Sequence, residues 1–255
     1  MRKPSGWYAL FQIDLPAQPV GRSTNPPIGV DMGITHALAL SDGVTFDSPQ
    51  YLQQSLSKLR VLQRAVARKK KGGKNRRKAV QKVAGLQEHL TNQRRDWWHK
   101  TTRQMVNTYG AVVLEDLPLK FMLQNGQLSR AAHDIGLGMF RMLLDYKAMQ
   151  AGVELVTVNP RNTSQVCSGC GSIVQKSLGV RVHSCHDCSL VLDRDIHAAR
   201  NILSLGRRDW ALTWSVGASV AKDAPHFSGE SRHISKTSTL LFRFSCHPNS
   251  QKISR

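Results

Sequence analysis

At 255 residues the chain can bury a core of its own, and one main domain with a small satellite is the expected size class. Its 36 Lys and Arg against 17 Asp and Glu give a net charge of +19 and an isoelectric point near 10.3, which favours a polyanionic partner. Nucleic acid is the common case and an anionic membrane surface the other; with no signal-peptide or membrane-span pattern, a soluble cytoplasmic protein is expected and a secreted one is not.

In chain order, Gly6–Leu15 is a short aromatic and apolar run closed by Pro16 and Pro19, the composition of a single strand. Nothing local can pair with it, so it either joins a later sheet or is the last strand of a domain outside this chain. The Pro-, Gly-, Ser- and Asn-rich stretch 16–27 reads as a linker. Ile28–Leu40 is largely apolar and carries Asp31 with Gly29 and Gly33 on either side. Ser41-Asp42-Gly43 then signals a hairpin turn into Val44–Phe46. An acid within a strand is costly unless it is paired or binds a metal, and the flanking glycines allow ligand or backbone to come close. The plain alternative is an Asp that caps a turn.

From Tyr51 to Asn107 the period changes. Leu52, Leu56, Leu59, Leu62 and Val66, and then Val83, Leu86, Leu90 and Trp97, recur at helical spacing, which predicts two long helices. Their hinge holds Arg68, Lys69, Lys70, Lys71, Lys74, Arg76, Arg77 and Lys78, eight basic side chains in eleven residues, broken by Gly72-Gly73. A charge run is ordinarily a solvated face. Eight like charges with no interleaved acid repel one another, however, and a phosphate backbone relieves that repulsion. Trp97 and Trp98 could stack on bases, but anchoring the helix to the core is the commoner use.

Ala111–Leu117 reads as a buried strand ending in Glu115 and Asp116, and Val153–Val158 as another; between them 131–151 reads as a helix weakened by Gly136 and Gly138. Two Cys-x2-Cys pairs follow, Cys167/Cys170 and Cys185/Cys188, fourteen residues apart. Four thiolates so spaced can converge on one tetrahedral Zn²⁺, with Gly169, Gly171 and Gly179 supplying the turns. Such a site is closed to substrate water and therefore structural. Two disulfides or four unrelated thiols are the alternative, and His183 or His186 could replace one thiolate. Asp193 and Asp195 then open an Ala-rich helix. From Gly206 no clear period remains, and Cys246 there has no assigned role.

Asp31 in one strand, Glu115 at the end of another and Asp195 at a helix start are the donor set of a two-Mg²⁺ phosphodiesterase site. Hard cations take oxygen ligands, and a pair of them activates the attacking water and neutralises the leaving oxygen. The Gly29-x-Asp31-x-Gly33 pattern by itself also fits the ATP-binding sheet of an actin-like ATPase. That reading lacks a second glycine-rich phosphate loop and leaves the cysteines unexplained.

In order, IGVDMGITHALALSDG, VVLEDL, NTSQVCSGCG and CHDCSLVLDRDIHAARNIL resemble the motifs of the TnpB (OrfB) proteins of bacterial insertion sequences, labelled transposases and related to type V CRISPR effector nucleases. The resemblance spans residues 7–206. It implies an α/β, RNase H-like (RuvC) core with a long helical insertion and an inserted four-cysteine zinc ribbon. The implied activity is RNA-guided DNA endonucleolysis in transposition, with a guide derived from the element's own end. By position, Asp31, Glu115 and Asp195 are then the catalytic acids and Mg²⁺ ligands, and Cys167, Cys170, Cys185 and Cys188 hold a structural Zn²⁺. The implied partners are DNA and a guide RNA, without a membrane, at the nucleoid of a bacterial or archaeal cytoplasm.

The resemblance also implies a division of the chain: 1–20 a remnant strand of an N-terminal β domain, 21–160 the nuclease core with its helical hairpin 51–107, and 161–192 the ribbon. Residues 193–206 form the last core helix and 207–255 an irregular tail. The chain departs from the family pattern in placing Asp31 almost at its start. It departs again at His197 and Ser189, where relatives usually carry Asn and Gly. The alternative function is an inactive remnant that only binds nucleic acid through its basic helices and ribbon.

Overall fold

The computed structural model describes residues 2–14, 21–117, 129–177, 179–217 and 237–244, with side chains over 3–9, 21–117, 129–177 and 179–207. The fold is mixed α/β. The chain divides into two compact units, one of Met1–Pro19, Ser55–Asn92 and His226–Arg255, the other of Val20–Gln54 and Gln93–Pro225.

The first unit holds a three-stranded antiparallel sheet of β1 (Arg2–Lys3), β2 (Gly6–Asp14) and β10 (Thr237–Phe244), with β2 in the middle. The N-terminal strand is therefore paired along both edges. Its register with β10 runs from Trp7 opposite Phe244 to Asp14 opposite Thr237. This corrects the irregular tail expected over 207–255 at residues 237–244. The run Thr-Ser-Thr-Leu-Leu-Phe-Arg-Phe is rich in β-forming residues, but its polar flanks masked it and its partner lies more than two hundred residues earlier. Ser5 also ties this unit together, donating from its backbone N (2.9 Å) and its hydroxyl (2.6 Å) to the Glu88 carboxylate.

The helical period appears as α1 (Tyr51–Ala67) and α2 (Lys74–Thr108), joined by the basic hinge 68–73. No residue of α1 is fully buried, so its apolar stripe is only half covered, whereas Leu86 and Leu90 of α2 are buried.

The second unit is built on a five-stranded sheet in the order β5 (Thr45–Phe46), β4 (Leu38–Leu40), β3 (Pro27–Asp31), β6 (Ala111–Glu115) and β7 (Glu154–Val158). The run Ile28–Leu40 is not one strand. It stops at Asp31 and returns as β4, antiparallel, with Val30 opposite Leu40. One continuous strand would outrun five-residue β6 and leave backbone groups unpaired. The Ser-Asp-Gly turn does join β4 to β5, with the Val44 N–H donating to Asp42 Oδ1 at 3.0 Å. β3, β6 and β7 are parallel, and all five residues of β6 are buried.

Strand alternation sends Ile28, Val30, Val112 and Leu114 to one face of the sheet. There they pack with Trp98 and Met105 of α2, Ile135 of α3 (Ser129–Ile135), and Phe140, Leu143 and Leu144 of α4 (Leu137–Ala151). Trp98 is fully buried, donates Nε1–H to Ile135 O at 2.8 Å and lies 4.8 Å from the Phe140 ring, so it is an anchor of the core. The single helix expected over 131–151 is two, because Gly136 adopts the left-handed conformation (φ 72°, ψ 47°) and breaks it.

On the opposite face Val113 and Val158 meet Ile202 of α5 (Arg194–Gly217), a helix that continues eleven residues past the expected end at 206. Gly29 points at that helix: a Cβ there would lie 2.1 Å from Ala199 O. The glycine therefore admits a helix backbone rather than a ligand. A small antiparallel hairpin, β8 (Val182–Ser184) and β9 (Val191–Asp193), precedes α5.

Candidate active site and cysteine cluster

Asp31 and Glu115 are the last residues of β3 and β6, neighbouring parallel strands whose register pairs Val30 with Leu114. Both acids therefore leave the same sheet edge side by side. Asp195, in the first turn of α5, is brought to that edge because α5 packs across β3; an added Cβ on Gly33 would lie 3.9 Å from Asp195 Oδ2.

Asp31 feels both of the other carboxylates. Burial, then Glu115, then Asp195 push Asp31 up to about 8, against the pull of Arg194 and the Met32 N–H. Burial raises Glu115, which is 5 % exposed, while a hydrogen bond from Thr163 opposes it. Burial and Asp193 raise Asp195; Arg181, His36 and Arg194 counter. Glu115 is buried and Asp31 and Asp195 half-buried, and an acid whose proton is held by burial and by like-charged neighbours, as at Asp31, is one that a cation would relieve.

The Asp193/Asp195 doublet divides its work. Asp193 Oδ1 accepts the backbone N–H groups of Asp195 (2.9 Å) and Ile196 (3.1 Å), so it caps α5 and leaves the cluster to Asp195. Sequence reasoning missed three side chains that serve these acids. Arg181 stands 4.0 Å from Asp195 Oδ1, Thr163 donates to Glu115 Oε1, and Arg141 donates to the carbonyls of Glu115 and Leu117 at the end of β6. Each lies far from its partner in the chain and belongs to a residue type too common to single out.

The four cysteines stand together, every Sγ within 4.8 Å of the others, with Cys167–Cys188 at 3.6 Å and Cys170–Cys185 at 3.5 Å. A tetrahedral ZnS4 centre with bonds of about 2.3 Å has sulfur edges of about 3.8 Å, so the donor set fits Zn²⁺. Ser172 pulls the Cys170 thiol down to about 6, while Cys188, against a backbone hydrogen bond at Leu190, is pushed up to about 12 by burial and the neighbouring cysteines. All four are free thiols, not disulfides. Ser189, just after the last cysteine, sits at φ 56°, a left-handed position that favours glycine.

Cys167, His183 and His197 form a second cluster of possible ligands. The two rings stack at 3.6 Å and 12°, which keeps their in-plane lone pairs in nearly parallel planes, so as placed they do not grip one ion. His197 Nε2 accepts the Ser168 N–H at 3.0 Å and so fastens α5 to the first cysteine pair. His186 is exposed and belongs to neither cluster.

Of the basic run, Arg68, Lys69, Lys70, Lys71, Lys74, Arg77 and Lys78 are exposed and Arg76 half-buried. No ion pair joins any of the eight to a described residue. Among the described residues no helix is long and apolar enough to cross a membrane. Cys246 lies outside the described residues.

Residues 11–126 match the OrfB_IS605 family, described as a probable transposase, and residues 138–202 match the Cas12f1-like TNB domain. A protein of Streptomyces pristinaespiralis named as an RNA-guided DNA endonuclease is 39% identical over 186 residues, covering 72% of this chain and 46% of that protein. InsQ of Escherichia coli (strain K12), also named so, is 29% identical over 216 residues, covering 78% and 54%. The solved structure of a mini-RNA-guided endonuclease, CRISPR-Cas_phi3, superposes with a TM-score of 0.50 at 13% identity over 72% of this chain and 45% of that one, a likeness of fold. The chain thus spans about half the length of the curated relatives it matches.

Proposed function

Because the chain belongs to the TnpB (OrfB) family of insertion-sequence transposase-type proteins, we propose that it is a divalent-metal-dependent, RNA-guided DNA endonuclease acting in transposition. What supports this reading is the placement of Asp31 and Glu115 at the ends of the neighbouring parallel strands β3 and β6 and of Asp195 in the first turn of α5, with Glu115 and Asp195 both raising Asp31. The sheet order, with three parallel strands and an antiparallel edge, supports an RNase H-like (RuvC) core. The thiol cluster supports a zinc ribbon.

When bound, a pair of Mg²⁺ ions would supply a metal-activated water and neutralise the leaving oxygen of a phosphodiester. The chain's own part is to hold the ligands. Asp31 and Glu115 project from adjacent strand ends, which fixes their separation by sheet spacing. Asp195 arrives on a helix whose first turn Asp193 caps, and Arg181 offsets its charge. Zn²⁺ would take Cys167, Cys170, Cys185 and Cys188 and hold the ribbon's shape. Arg68, Lys69, Lys70, Lys71, Lys74, Arg76, Arg77 and Lys78 would meet the phosphates of DNA or guide RNA.

Cleavage of a target duplex, with guide RNA and Mg²⁺ supplied, tests this reading. Asp31→Ala, Glu115→Ala and Asp195→Ala should each abolish cleavage while nucleic-acid binding persists, and the losses should not add. Asp193→Ala should cost about 1 kcal/mol of stability as a lost helix cap and retain cleavage. Cleavage that survives Asp31→Ala would refute the proposal.

A further inference from the structure

The segment 160–166 links β7 to the first cysteine pair and forms only turns and a single bridge. Buried polar contacts nonetheless hold it on both sides. Thr163 Oγ1 donates to Glu115 Oε1, and both residues are buried, at 6% and 5% exposure. The hydroxyl has one proton and two acceptors in reach, this carboxylate and Pro160 O at 3.1 Å. An ionised carboxylate is the stronger acceptor and takes the proton.

On the other side, Asn201 Nδ2 donates to Thr163 O at 2.7 Å and to Val166 O at 2.6 Å. Both amide protons of this buried side chain are thereby used. Asn201 lies on α5, six residues after Asp195. One helix therefore carries an acid of the cluster and also grips the segment that touches another acid.

From these contacts we propose that Thr163 and Asn201 are positioning residues of the cation site. Asn201 locks the 163–166 segment, and Thr163 then holds the Glu115 carboxylate by Oε1, leaving Oε2 to the cation. The inference rests on the reading of Asp31, Glu115 and Asp195 as a divalent-cation site. A carboxylate already held in its binding orientation loses less freedom on taking a metal, and losing such an outer partner typically weakens metal affinity about 10–100-fold.

Mn²⁺ titration of the purified full chain, read by electron paramagnetic resonance without nucleic acid, tests this with the metal alone. Thr163→Val should weaken Mn²⁺ binding about 10–100-fold, with the metal content of the cysteine cluster unchanged. Thr163→Ser keeps the hydroxyl and should restore binding to near the parent value, a rescue that a packing role would not show. Asn201→Leu should weaken binding as Thr163→Val does. Parent-like affinity in Thr163→Val, or a Ser variant as weak as the Val variant, overturns the proposal. If the parent chain and Asp31→Ala bind Mn²⁺ alike, the cation-site reading itself fails and takes this inference with it; that outcome is told apart because it appears before any Thr163 variant is compared.

Discussion

Asp31→Asn replaces a carboxylate by an amide of nearly the same shape, so it separates the electrostatic cost of the acid cluster from its packing. In the folded chain Asp31 is raised from 3.8 to about 8, first by burial and then by Glu115 and Asp195. Below pH 4 the group is protonated in folded and unfolded chains alike, and no penalty arises. As pH rises from about 4 to about 8 the unfolded chain gives up its proton while the folded chain keeps it, so stability falls through that window and is lowest above it. At about 1.4 kcal/mol per pH unit the full displacement amounts to about 6 kcal/mol. Relaxation around the site and the remaining Glu115 and Asp195 charges reduce what one substitution recovers to about 2–3 kcal/mol.

Denaturant unfolding, followed by tryptophan fluorescence between pH 5 and pH 8.5 without divalent cations, should show Asn and parent chains converging at the acid end. At the alkaline end the Asn variant should be the more stable. Adding Mg²⁺ at pH 8.5 should stabilise the parent chain and not the variant, because the cation binds the folded state through the charge the variant lacks. A difference that does not grow with pH, or a parent chain more stable than the variant at pH 8.5 without cation, would refute the reasoning.

Three further outcomes are expected. The purified chain should carry about one Zn²⁺, and the double variant Cys167→Ser/Cys188→Ser should lose it by metal analysis; stoichiometric zinc in that variant would remove the assignment. Replacing Arg68, Lys69, Lys70, Lys74, Arg76 and Arg77 with Gln should flatten the log–log salt dependence of DNA or RNA binding by about 0.9 for each phosphate left unneutralised, and an unchanged slope would leave the run a solvated face. Gly29→Ala, whose Cβ would sit 2.1 Å from Ala199 O, should destabilise the chain by about 2–4 kcal/mol, since helix and strand must separate; a thermal midpoint equal to the parent's would contradict that packing.

Features set by short-range chemistry were legible in the chain itself. Cys-x2-Cys spacing marks a thiol group because two residues between cysteines let both sulfurs face one point, and the four sulfurs do stand together. The helical period of 51–107, the basic hinge and the Ser-Asp-Gly hairpin are equally local. An acid in an apolar strand or at a helix start asks for a partner, which is the local signal behind the expectation that Asp31, Glu115 and Asp195 act together.

What each of those features does was decided by contacts between distant parts of the chain. The sequence marks Asp195 of the Asp-Arg-Asp string, but the work of Asp193 is set by the direction of α5, which makes it the helix cap while Asp195 acts on Asp31. Gly29 looks like a ligand approach until α5 lies against it. The tail strand β10 has no local signal for its partner, because a sheet is specified by the hydrogen bonds of whichever backbone arrives beside it. Thr163 and Asn201 are ordinary polar residues whose worth comes from the buried carboxylate and carbonyls they meet across 48 and 38 residues. Spacing and periodicity act over a few residues of chain, whereas burial, charge coupling and hydrogen-bond satisfaction depend on neighbours in space, which only the assembled fold supplies.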